Sequence, residues 1–313
     1  MPLTERLITV PANSPHCGGR IDRLVQELVG GGRAHVAGLF EQSCVELNGE
    51  RILENWMRIR PGDRVRVRYD DRLRYLPAQR PRSHRGFAVI FEDRDCIVVD
   101  KSAEILTVPT RRGEPNTLVD LLGQYLRRSR QGHQAWTVHR LDRDVSGLLV
   151  FGKSEPSAAA LRDQFAARKP DRRYLAIVAG KLSSDHGTFR SHLATDRDLN
   201  RYSTDDEQIG QLAITHYRVL QRGDDATLVE VRLETGRRNQ IRVHFAEHRH
   251  PLLGDPRYGG SASRHRQWPY RRVALHARTL GFQHPTTGRQ LLFESRYPPE
   301  MVRFLLQADW NRS

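Results

Sequence analysis

The segment His139–Phe151, HRLDRDVSGLLVF, changes character halfway along its length. Its first half is polar and densely charged, and its second half is an apolar run typical of a buried strand. A polar loop that feeds a buried strand often carries catalytic groups, because the strand fixes the backbone while the loop exposes the side chains. Two local alternatives stay open: Arg140 and Asp144 could form an i,i+4 ion pair, and Asp142 could be a turn or cap residue.

Outward from this segment, residues 87–313 alternate short apolar strands with amphipathic helices. The predicted strands are Cys96–Asp100, Gly147–Phe151, Tyr174–Ala179, Thr227–Glu234 and Leu291–Ser295, and the predicted helices are Thr117–Arg128 and Ser157–Arg168. This pattern predicts a domain that contains both helices and strands.

Residues 19–70 have a pattern of their own. Apolar spacing predicts two short helices on either side of a glycine break at 30–32, and Asn48-Gly49 predicts a tight hairpin. In the last strand, three apolar residues alternate with three arginines: Val65, Val67 and Tyr69 with Arg64, Arg66 and Arg68. The sequence therefore predicts a small α+β unit with one basic face.

The length of 313 residues also favours two domains over one. We expect an N-terminal tail over 1–18, the small unit over 19–70, a basic linker over 71–86 and a catalytic domain over 87–313. The linker prediction rests on Pro77, Pro81 and a high charge without apolar periodicity.

The composition indicates a polyanionic partner. The 51 Lys and Arg residues exceed the 37 Asp and Glu residues, which leaves a net charge of +14. Such a field attracts nucleic acid, and arginine grips phosphate with two parallel hydrogen bonds. No run approaches the ~20 apolar residues of a membrane span, and no secretory signal is evident. Three cysteines, Cys17, Cys44 and Cys96, favour a reducing compartment, so we expect a cytoplasmic protein without membrane contact.

The sequence resembles the RluA-type pseudouridine synthases over nearly its whole length. The HRLD stretch and the Ser-Gly that follows match the family signature, as do the blocks Phe91–Lys101, Arg173–Val178, Thr235–His244 and Pro251–Asp255. The resemblance implies an α+β fold whose catalytic domain is built on a mixed, largely antiparallel sheet. It also implies an isomerase that converts uridine to pseudouridine in structured RNA without a cofactor or a metal.

The resemblance also implies roles for individual residues. Asp142 matches the essential carboxylate of the family, and Arg242 is expected to pair with it and keep it ionised. Tyr174 is expected to stack on the uracil and to help the final loss of the C5 proton. Val243 is expected to pack on the other face of the base. Arg140 is a candidate to fill the gap left by a flipped nucleotide.

Residues 19–70 resemble the small RNA-binding domain named after ribosomal protein S-four. The match lies in Arg20–Leu24, Val45–Gly49 and Arg60–Val65. The resemblance implies that this domain binds RNA, with phosphate contacts expected from the three alternating arginines: Arg64, Arg66 and Arg68. Family members with this domain mostly modify the large ribosomal subunit, so ribosomal RNA is the expected substrate and transfer RNA the alternative. We expect a monomer.

Two short stretches depart from the family pattern. Ser102 and Glu104 stand where the first block usually has Pro and Gly, and Arg238 and Asn239 stand where the last block usually has Thr and His. These departures affect the backbone path near 102–104 and the RNA contacts near 238, and they weaken an assignment of substrate by analogy.

Two other functions compete with this interpretation. The residues His244–His248, HFAEH, fit the H-x-x-E-H pattern of a zinc peptidase on a helix. However, the same residues already belong to the QIRVH block of the synthase pattern. A non-catalytic RNA-binding protein is the second alternative, and the presence of Asp142, Tyr174 and Arg242 argues against it.

Overall fold

A computed structural model describes residues 3–76, 82–130 and 134–307. The chain divides into two compact units, residues 1–80 and residues 81–313. The elements of the first unit are β1 Thr4–Thr9, α1 Ile21–Val29, α2 Arg33–Glu41, β2 Val45–Leu47, β3 Glu50–Arg51 and β4 Arg64–Tyr69. The three cysteines are free thiols.

The first unit is a four-stranded antiparallel sheet in the order β1-β4-β2-β3, with the arginine-rich strand β4 inside it. The predicted hairpin joins β2 and β3, and Asn48 and Gly49 both adopt the positive φ that its tight turn requires, 55° and 88°. The expected N-terminal tail is wrong for residues 4–9. They form strand β1, because the backbone of β4 needs hydrogen-bond partners on both edges.

The expected linker over 71–86 is shorter in the structure. Tyr75 is buried in the core of the first unit, and its hydroxyl accepts a hydrogen bond from the backbone N–H of Asp70 at 2.8 Å. Residues 82–84 form a strand of the second unit. Residues 77–81, the middle of the predicted linker, lie outside the described residues.

The second unit contains the other helices and strands. They are β5 Arg82–His84, β6 Phe87–Glu92, β7 Cys96–Lys101, α3 Leu118–Arg128, β8 Trp136–Thr137, β9 Ser146–Gly152, α4 Glu155–Ala166, β10 Asp171–Ala179, β11 His186–Thr195, β12 Arg201–Thr204, β13 Gln211–Arg222, β14 Ala226–Leu233, α5 Gln240–Glu247, a 3-10 turn Gly260–Ser263, β15 Leu275–Gln283, β16 Gln290–Glu294 and α6 Pro299–Gln307. The predicted strands and helices all appear, with ends that differ by a few residues. Among the described helices, none is long and apolar enough to cross a membrane.

The described strands form one sheet with the order β12-β11-β13-β14-β10-β15-β9-β7-β6-β5, and in addition β16 pairs with β15 and β8 pairs with β9. Strands β9 and β15 run parallel and the other described pairs are antiparallel, which confirms the expected mixed, largely antiparallel sheet. Gly147 permits the parallel pair, because a Cβ there would lie 2.3 Å from the carbonyl oxygen of Ala277 and the residue has a φ of +120°.

Strand β9 is buried along its whole length, which explains its continuous apolar run. Leu149 and Phe151 belong to the core cluster that includes α3 residues, whereas Leu148 and Val150 belong to the cluster that includes Leu161 of α4. Because side chains alternate along a strand, helices cover both faces of the sheet here. The segment His139–Phe151 is thus anchored by a strand that is buried on both faces.

Candidate active site

The segment before β9 is a loop that ends in a turn. The backbone N–H of Val145 donates to the carbonyl oxygen of Asp142 at 3.2 Å, so the alternative in which Asp142 is a turn residue holds for its backbone. The proposed pair between Arg140 and Asp144 does not form, because the loop is not helical. Arg140 is exposed, with no carboxylate partner among the described residues.

The side chain of Asp142 is held through one oxygen only. Its Oδ2 accepts hydrogen bonds from Arg242 Nη1 at 3.1 Å and from Asn239 Nδ2 at 2.5 Å. Its Oδ1 has no hydrogen-bond partner in the part of the chain that the structure describes. One oxygen is therefore fixed while the other is available to a ligand. The pairing of Asp142 and Arg242 expected from the resemblance is present.

Arg242 itself is held by a second carboxylate, that of Asp255. Arg242 Nε and Nη2 donate to the two oxygens of Asp255 at 2.7 and 2.8 Å, and both side chains are buried. Burial alone would lower the pKa of Arg242, but the hydrogen bonds and charges of Asp255 and Asp142 raise it above its ordinary value. A permanently charged guanidinium therefore faces Asp142.

Asp255 also holds neighbouring backbone, and it was not among the site residues expected from the sequence. Its Oδ1 also accepts the backbone N–H groups of Arg257 and Tyr258 at 2.9 and 3.1 Å, and the ring of Tyr258 lies under the guanidinium of Arg242 at 5.2 Å. The available signal was its place in the Pro251–Asp255 block, where an acidic residue follows an apolar run. That signal gives no partner, because Arg242 is on a different element.

Asn239, one of the departures from the family pattern, touches the site directly. It begins α5 in a left-handed conformation with a φ of 57°. A chain of hydrogen bonds runs from Arg201 N–H to the hydroxyl of Tyr258, from this hydroxyl to Asn239 Oδ1, and from Asn239 Nδ2 to Asp142. The side-chain amide of Asn239 therefore orients the carboxylate of Asp142. The sequence had suggested that this stretch contacts RNA.

The carboxylate of Asp142 lies at a cavity of about 150 Å³. The apolar part of its wall comes from five residues: Leu141, Val145, Leu233, Ile241 and Leu275. Tyr174 and Arg140 also line it, so the structure brings together Asp142, Tyr174, Arg242 and Arg140 from separate parts of the sequence. Burial raises the pKa of Tyr174, which keeps its phenol protonated.

Val243 does not line this cavity, and the expectation that it would pack against the base is corrected. Val243 is buried in a separate cluster with Leu193 and Ala213, whereas Ile241 lies at the cavity. The reason is helical geometry, because residues two apart on α5 point in nearly opposite directions. Val243 therefore packs into the core, and Ile241 supplies the apolar contact at the cavity.

Two buried side chains hold the backbone on either side of Asp142. The hydroxyl of Thr107 donates to the carbonyl oxygen of Leu141 at 2.7 Å and accepts its N–H at 3.2 Å. Lys101 Nζ donates to the carbonyl oxygen of Arg143 at 3.1 Å. Burial, and next the charge of Arg272, lower the pKa of Lys101 to about 7. These two residues, for which the sequence indicated no role, hold the loop that carries Asp142.

The other departure, at 102–104, keeps a glycine-like backbone without a glycine. Glu104 has a φ of 69°, the left-handed region in which glycine is favoured. Lys101 Nζ also donates to the carbonyl oxygens of Ser102 and Ile105, both at 2.8 Å. The backbone path around Glu104 is therefore held by Lys101 rather than by local preference.

The chain matches the family model described as RNA pseudouridylate synthase over residues 95–247, which includes Asp142, Tyr174 and Arg242. It is 34% identical to the ribosomal large subunit pseudouridine synthase D of Zymomonas mobilis, over 96% of this chain and 94% of that protein. The chain belongs to the RNA pseudouridylate synthase family. It is an isomerase that acts on RNA, of the RluA type that its sequence resembles.

Other relatives agree with this assignment. The synthase is 35% identical to the ribosomal large subunit pseudouridine synthase D of Nitrosomonas europaea, with coverage of 97% of this chain and 88% of that one. Among solved structures, human RNA pseudouridylate synthase domain containing 4 matches with a TM-score of 0.60 and 21% identity, over 71% of this chain and 92% of that one. This likeness shows that the fold is that of a pseudouridine synthase.

The signature residues around Asp142 have structural tasks in the synthase. His139 Nε2 accepts the backbone N–H of Val150 at 3.2 Å, and its ring stacks on Phe165 at 4.4 Å. Burial, and next the charge of Arg172, lower the pKa of His139 to about 3, so the ring is neutral and can accept. The hydroxyl of Ser146 is paired with His276 Nδ1 at 2.8 Å.

The peptidase-like motif takes part in other interactions. His244 Nδ1 and Nε2 are paired with the hydroxyls of Thr215 and Ser191 at 2.9 and 3.0 Å. Glu247 accepts a hydrogen bond from the backbone N–H of Ser203 at 2.8 Å, and His248 Nδ1 is paired with the carbonyl oxygen of His244. A metal would have to displace these bonds, so the geometry favours the synthase interpretation.

A second group of potential metal ligands also forms hydrogen bonds within the protein. Asp93, Cys96 and His284 have potential ligand atoms within 4.8 Å of one another. However, His284 Nδ1 accepts backbone N–H groups from Thr286 and Thr287, so its Nε2 carries the proton and donates to Asp93 at 2.7 Å. Burial raises the pKa of Cys96 to about 12, which keeps the thiol protonated. The cluster fits a hydrogen-bonded pair better than a metal site.

The three arginines of β4 differ in their partners. Arg68 Nη2 and Arg66 Nη1 lie 2.9 and 3.4 Å from the carboxylate of Glu46, and Arg66 also faces Glu5 at 3.7 Å. Arg64 is exposed and has no carboxylate partner among the described residues. Arg64 is therefore the member of this set with its full charge available to a phosphate.

Proposed function

We propose that Asp142 is the catalytic carboxylate of this synthase and that large-subunit ribosomal RNA is its substrate. The observation that carries the first part is the asymmetric anchoring of Asp142, whose Oδ2 is held by Arg242 and Asn239 while Oδ1 is open. An open oxygen at a small cavity, on a carboxylate that Arg242 and Asn239 hold in place, is suited to react with a nucleotide held there.

The cavity suits a single flipped base. Pseudouridine formation breaks the N1–C1′ bond, turns the base and joins C5 to C1′, so the nucleotide must leave its stack. Apolar side chains on the cavity wall can contact the faces of the uracil, and Tyr174 can stack on it. Arg140 lies exposed at the cavity, where its length allows it to fill the space left in the RNA.

The protonated state of Tyr174 limits its role. Because burial raises the pKa of its phenol, Tyr174 is a poor proton acceptor, and we assign to it mainly the stacking contact. Asp142 has three chemical options, namely attack on the sugar, attack on the base, or removal of a sugar proton. Each of them requires the open Oδ1, and none requires a metal.

Ribosomal RNA is supported by the relatives that cover almost the whole chain. Two of them, from Zymomonas mobilis and Nitrosomonas europaea, are named ribosomal large subunit pseudouridine synthase D. The first unit, through Arg64 and its neighbours, adds a basic strand that suits an RNA-binding domain of the S-four type.

The test is to map pseudouridines in total RNA from cells with and without this protein. We expect specific uridines of large-subunit ribosomal RNA to remain unmodified in the deletion strain and to be modified again by the purified enzyme, also after exhaustive chelation. Loss of sites only in transfer RNA would contradict the substrate, and loss of activity on chelation would contradict the metal-free site.

A further inference from the structure

Beside the catalytic cavity, the synthase has a second cavity of about 370 Å³, here named the Arg172 cavity. The two cavities share part of their walls, including Arg140, Tyr174 and Gly236. A ligand that fills the catalytic cavity can therefore continue into the neighbouring one. The burial pattern of β10 places Arg172 and Tyr174 on the same face of the strand, with Arg173 exposed on the other.

Arg172 is a buried cation without a counterion. It is 8% exposed, and its Nε has no hydrogen-bond partner. No hydrogen bond or ion pair of its guanidinium exists among the described residues. Its nearest support is the ring of Phe165, whose centroid is 5.4 Å from the guanidinium carbon. A cation–π contact does not occupy the N–H groups of Arg172, which remain able to bind an anion in the cavity.

The backbone is shaped to leave room for this guanidinium. A Cβ at Gly236 would lie 2.5 Å from Arg172 Nη1, so a larger residue at 236 would displace the arginine. Arg140, Arg168 and Arg237 also line the cavity. The carboxylate on its wall, Glu234, is already 3.4 Å from both Arg168 and His216. The cavity is therefore strongly positive.

We propose that the Arg172 cavity binds a backbone phosphate of the substrate RNA, next to the nucleotide held in the catalytic cavity. A flipped nucleotide stays attached to the strand through its two flanking phosphates, and at least one of them must lie close to its sugar. The guanidinium of Arg172 offers paired N–H donors that match phosphate oxygens. It has no negatively charged partner in the free protein, and a phosphate would supply one. This inference rests on the proposed function and adds the group that holds the strand.

The first experiment compares full-length Arg172→Met with a matched control, Arg173→Met. Arg173 is the next residue on the same strand, but it is exposed and paired with Asp171 at 3.0 Å. Binding to ribosomal RNA from the deletion strain is measured in an Asp142→Asn background across a salt series. We expect Arg172→Met to lose roughly tenfold in affinity and to lower the salt slope by about 1, whereas Arg173→Met changes neither.

Thermal unfolding separates a phosphate site from a structural role. Removing an unpaired buried charge should leave the melting temperature of Arg172→Met unchanged or raise it. A lower melting temperature, or affinity and salt slope equal to those of Arg173→Met, would overturn the proposal. Millimolar inorganic phosphate should not compete with RNA, because the RNA phosphate is covalently attached to the nucleotide that the catalytic cavity binds. Effective competition would contradict the proposal and indicate a site for free phosphate.

A second experiment does not depend on how the variant folds. A synthetic stem–loop that contains the mapped uridine carries a neutral methylphosphonate at one flanking linkage or the other. One of the two substitutions should raise the KM of the wild-type enzyme about tenfold and should have no effect on Arg172→Met. If neither linkage matters, or if both proteins respond equally, the proposal fails. Absence of pseudouridine with unmodified RNA would instead refute the proposed function.

Discussion

Arginines face carboxylates in both units of the molecule, but in different surroundings. In the catalytic unit, Arg242 lies between Asp142 and Asp255 and its side chain is 8% exposed. In the N-terminal unit, Arg66 and Arg68 both face Glu46, whose side chain is 12% exposed, but the two arginine side chains are themselves 40% and 43% exposed. The residue types are alike, so burial and geometry account for the difference in what the pairs can do.

Arginine–carboxylate pairs therefore differ between the two units in how firmly they are held. Arg66 and Arg68 reach solvent, so their pairs with Glu46 contribute only about 1 kcal/mol, and the arginines can turn toward a phosphate. The buried cluster is rigid, because Arg242 makes two hydrogen bonds to Asp255 in addition to its hydrogen bond to Asp142. Such rigidity suits catalysis, which requires that a charge already lies where the reaction needs it.

The largest effect should come from the carboxylate itself. Asp142→Asn should reduce turnover by on the order of 10⁴-fold or more, because an amide cannot replace the ionised oxygen. Folding and RNA binding should persist, since Arg242 keeps its bonds to Asp255. Tritium release from RNA that contains 5-tritiated uridine measures turnover, with the exposed Asp163→Asn as control. Substantial turnover by Asp142→Asn would refute the assignment.

The second largest effect should come from Asp255, which the comparison identifies as the anchor of the buried cluster. Asp255→Asn leaves Arg242 with a weaker partner, so the free energy of unfolding should fall by about 3–5 kcal/mol. The kcat should fall by roughly 10²-fold as the guanidinium shifts. Urea unfolding and tritium release measure the two. The matched change Glu46→Gln should cost less, about 1 kcal/mol, because the half-exposed Arg66 and Arg68 stay solvated when the carboxylate is lost; equal costs would remove the distinction.

A smaller effect should follow from loosening the loop that carries Asp142. Thr107→Val preserves shape but removes the hydroxyl that holds Leu141, which should lower stability by about 1–3 kcal/mol. The kcat should fall about tenfold with little change in KM, since RNA contacts remain. Thr107→Ser should restore most of the activity. A change in KM alone would argue against a positioning role.

In the N-terminal unit, the effect should appear in salt dependence rather than in turnover. Arg64→Gln should lower the slope of log affinity against log salt by about 0.7–1, because Arg64 has no carboxylate partner in the described chain. Arg66→Gln should change the slope less, since Glu5 and Glu46 already neutralise part of its charge. Filter binding across a salt series tests this order, and equal slopes for wild type and Arg64→Gln would contradict it.

The smallest effect should be a gain in stability at an exposed residue that carries backbone strain. Glu104→Gly should raise the free energy of unfolding by up to about 1 kcal/mol, because glycine accepts the φ of 69° without a steric penalty. Glu104→Ala keeps this penalty and should not stabilise. If alanine stabilises as much as glycine, the effect belongs to the lost carboxylate rather than to the backbone. Urea unfolding measures all three proteins.

The sequence by itself determined the family, the sheet type that the resemblance implies and many of the elements, but not strand β1, which was expected to be a tail. Strand β9 was predictable because a strand buried on both faces is a continuous apolar run, and the Asn48-Gly49 turn because few residues accept its positive φ values. The signature around Asp142 pointed to the loop that carries this residue, and the structure brings Asp142 and Arg242 together as that resemblance implied.

Only the tertiary structure decided which side chains meet. Local patterns could not give Asp255 its role, because its partner Arg242 lies on another element. Thr107 likewise contacts Leu141 across 34 positions of sequence. The misplacement of Val243 has a related cause: periodicity predicts that a helical residue is buried, but the packing around the helix selects the neighbours that each face meets. The unpaired charge of Arg172 is also invisible in sequence, because a missing partner can be recognised only when the surroundings of the side chain are known.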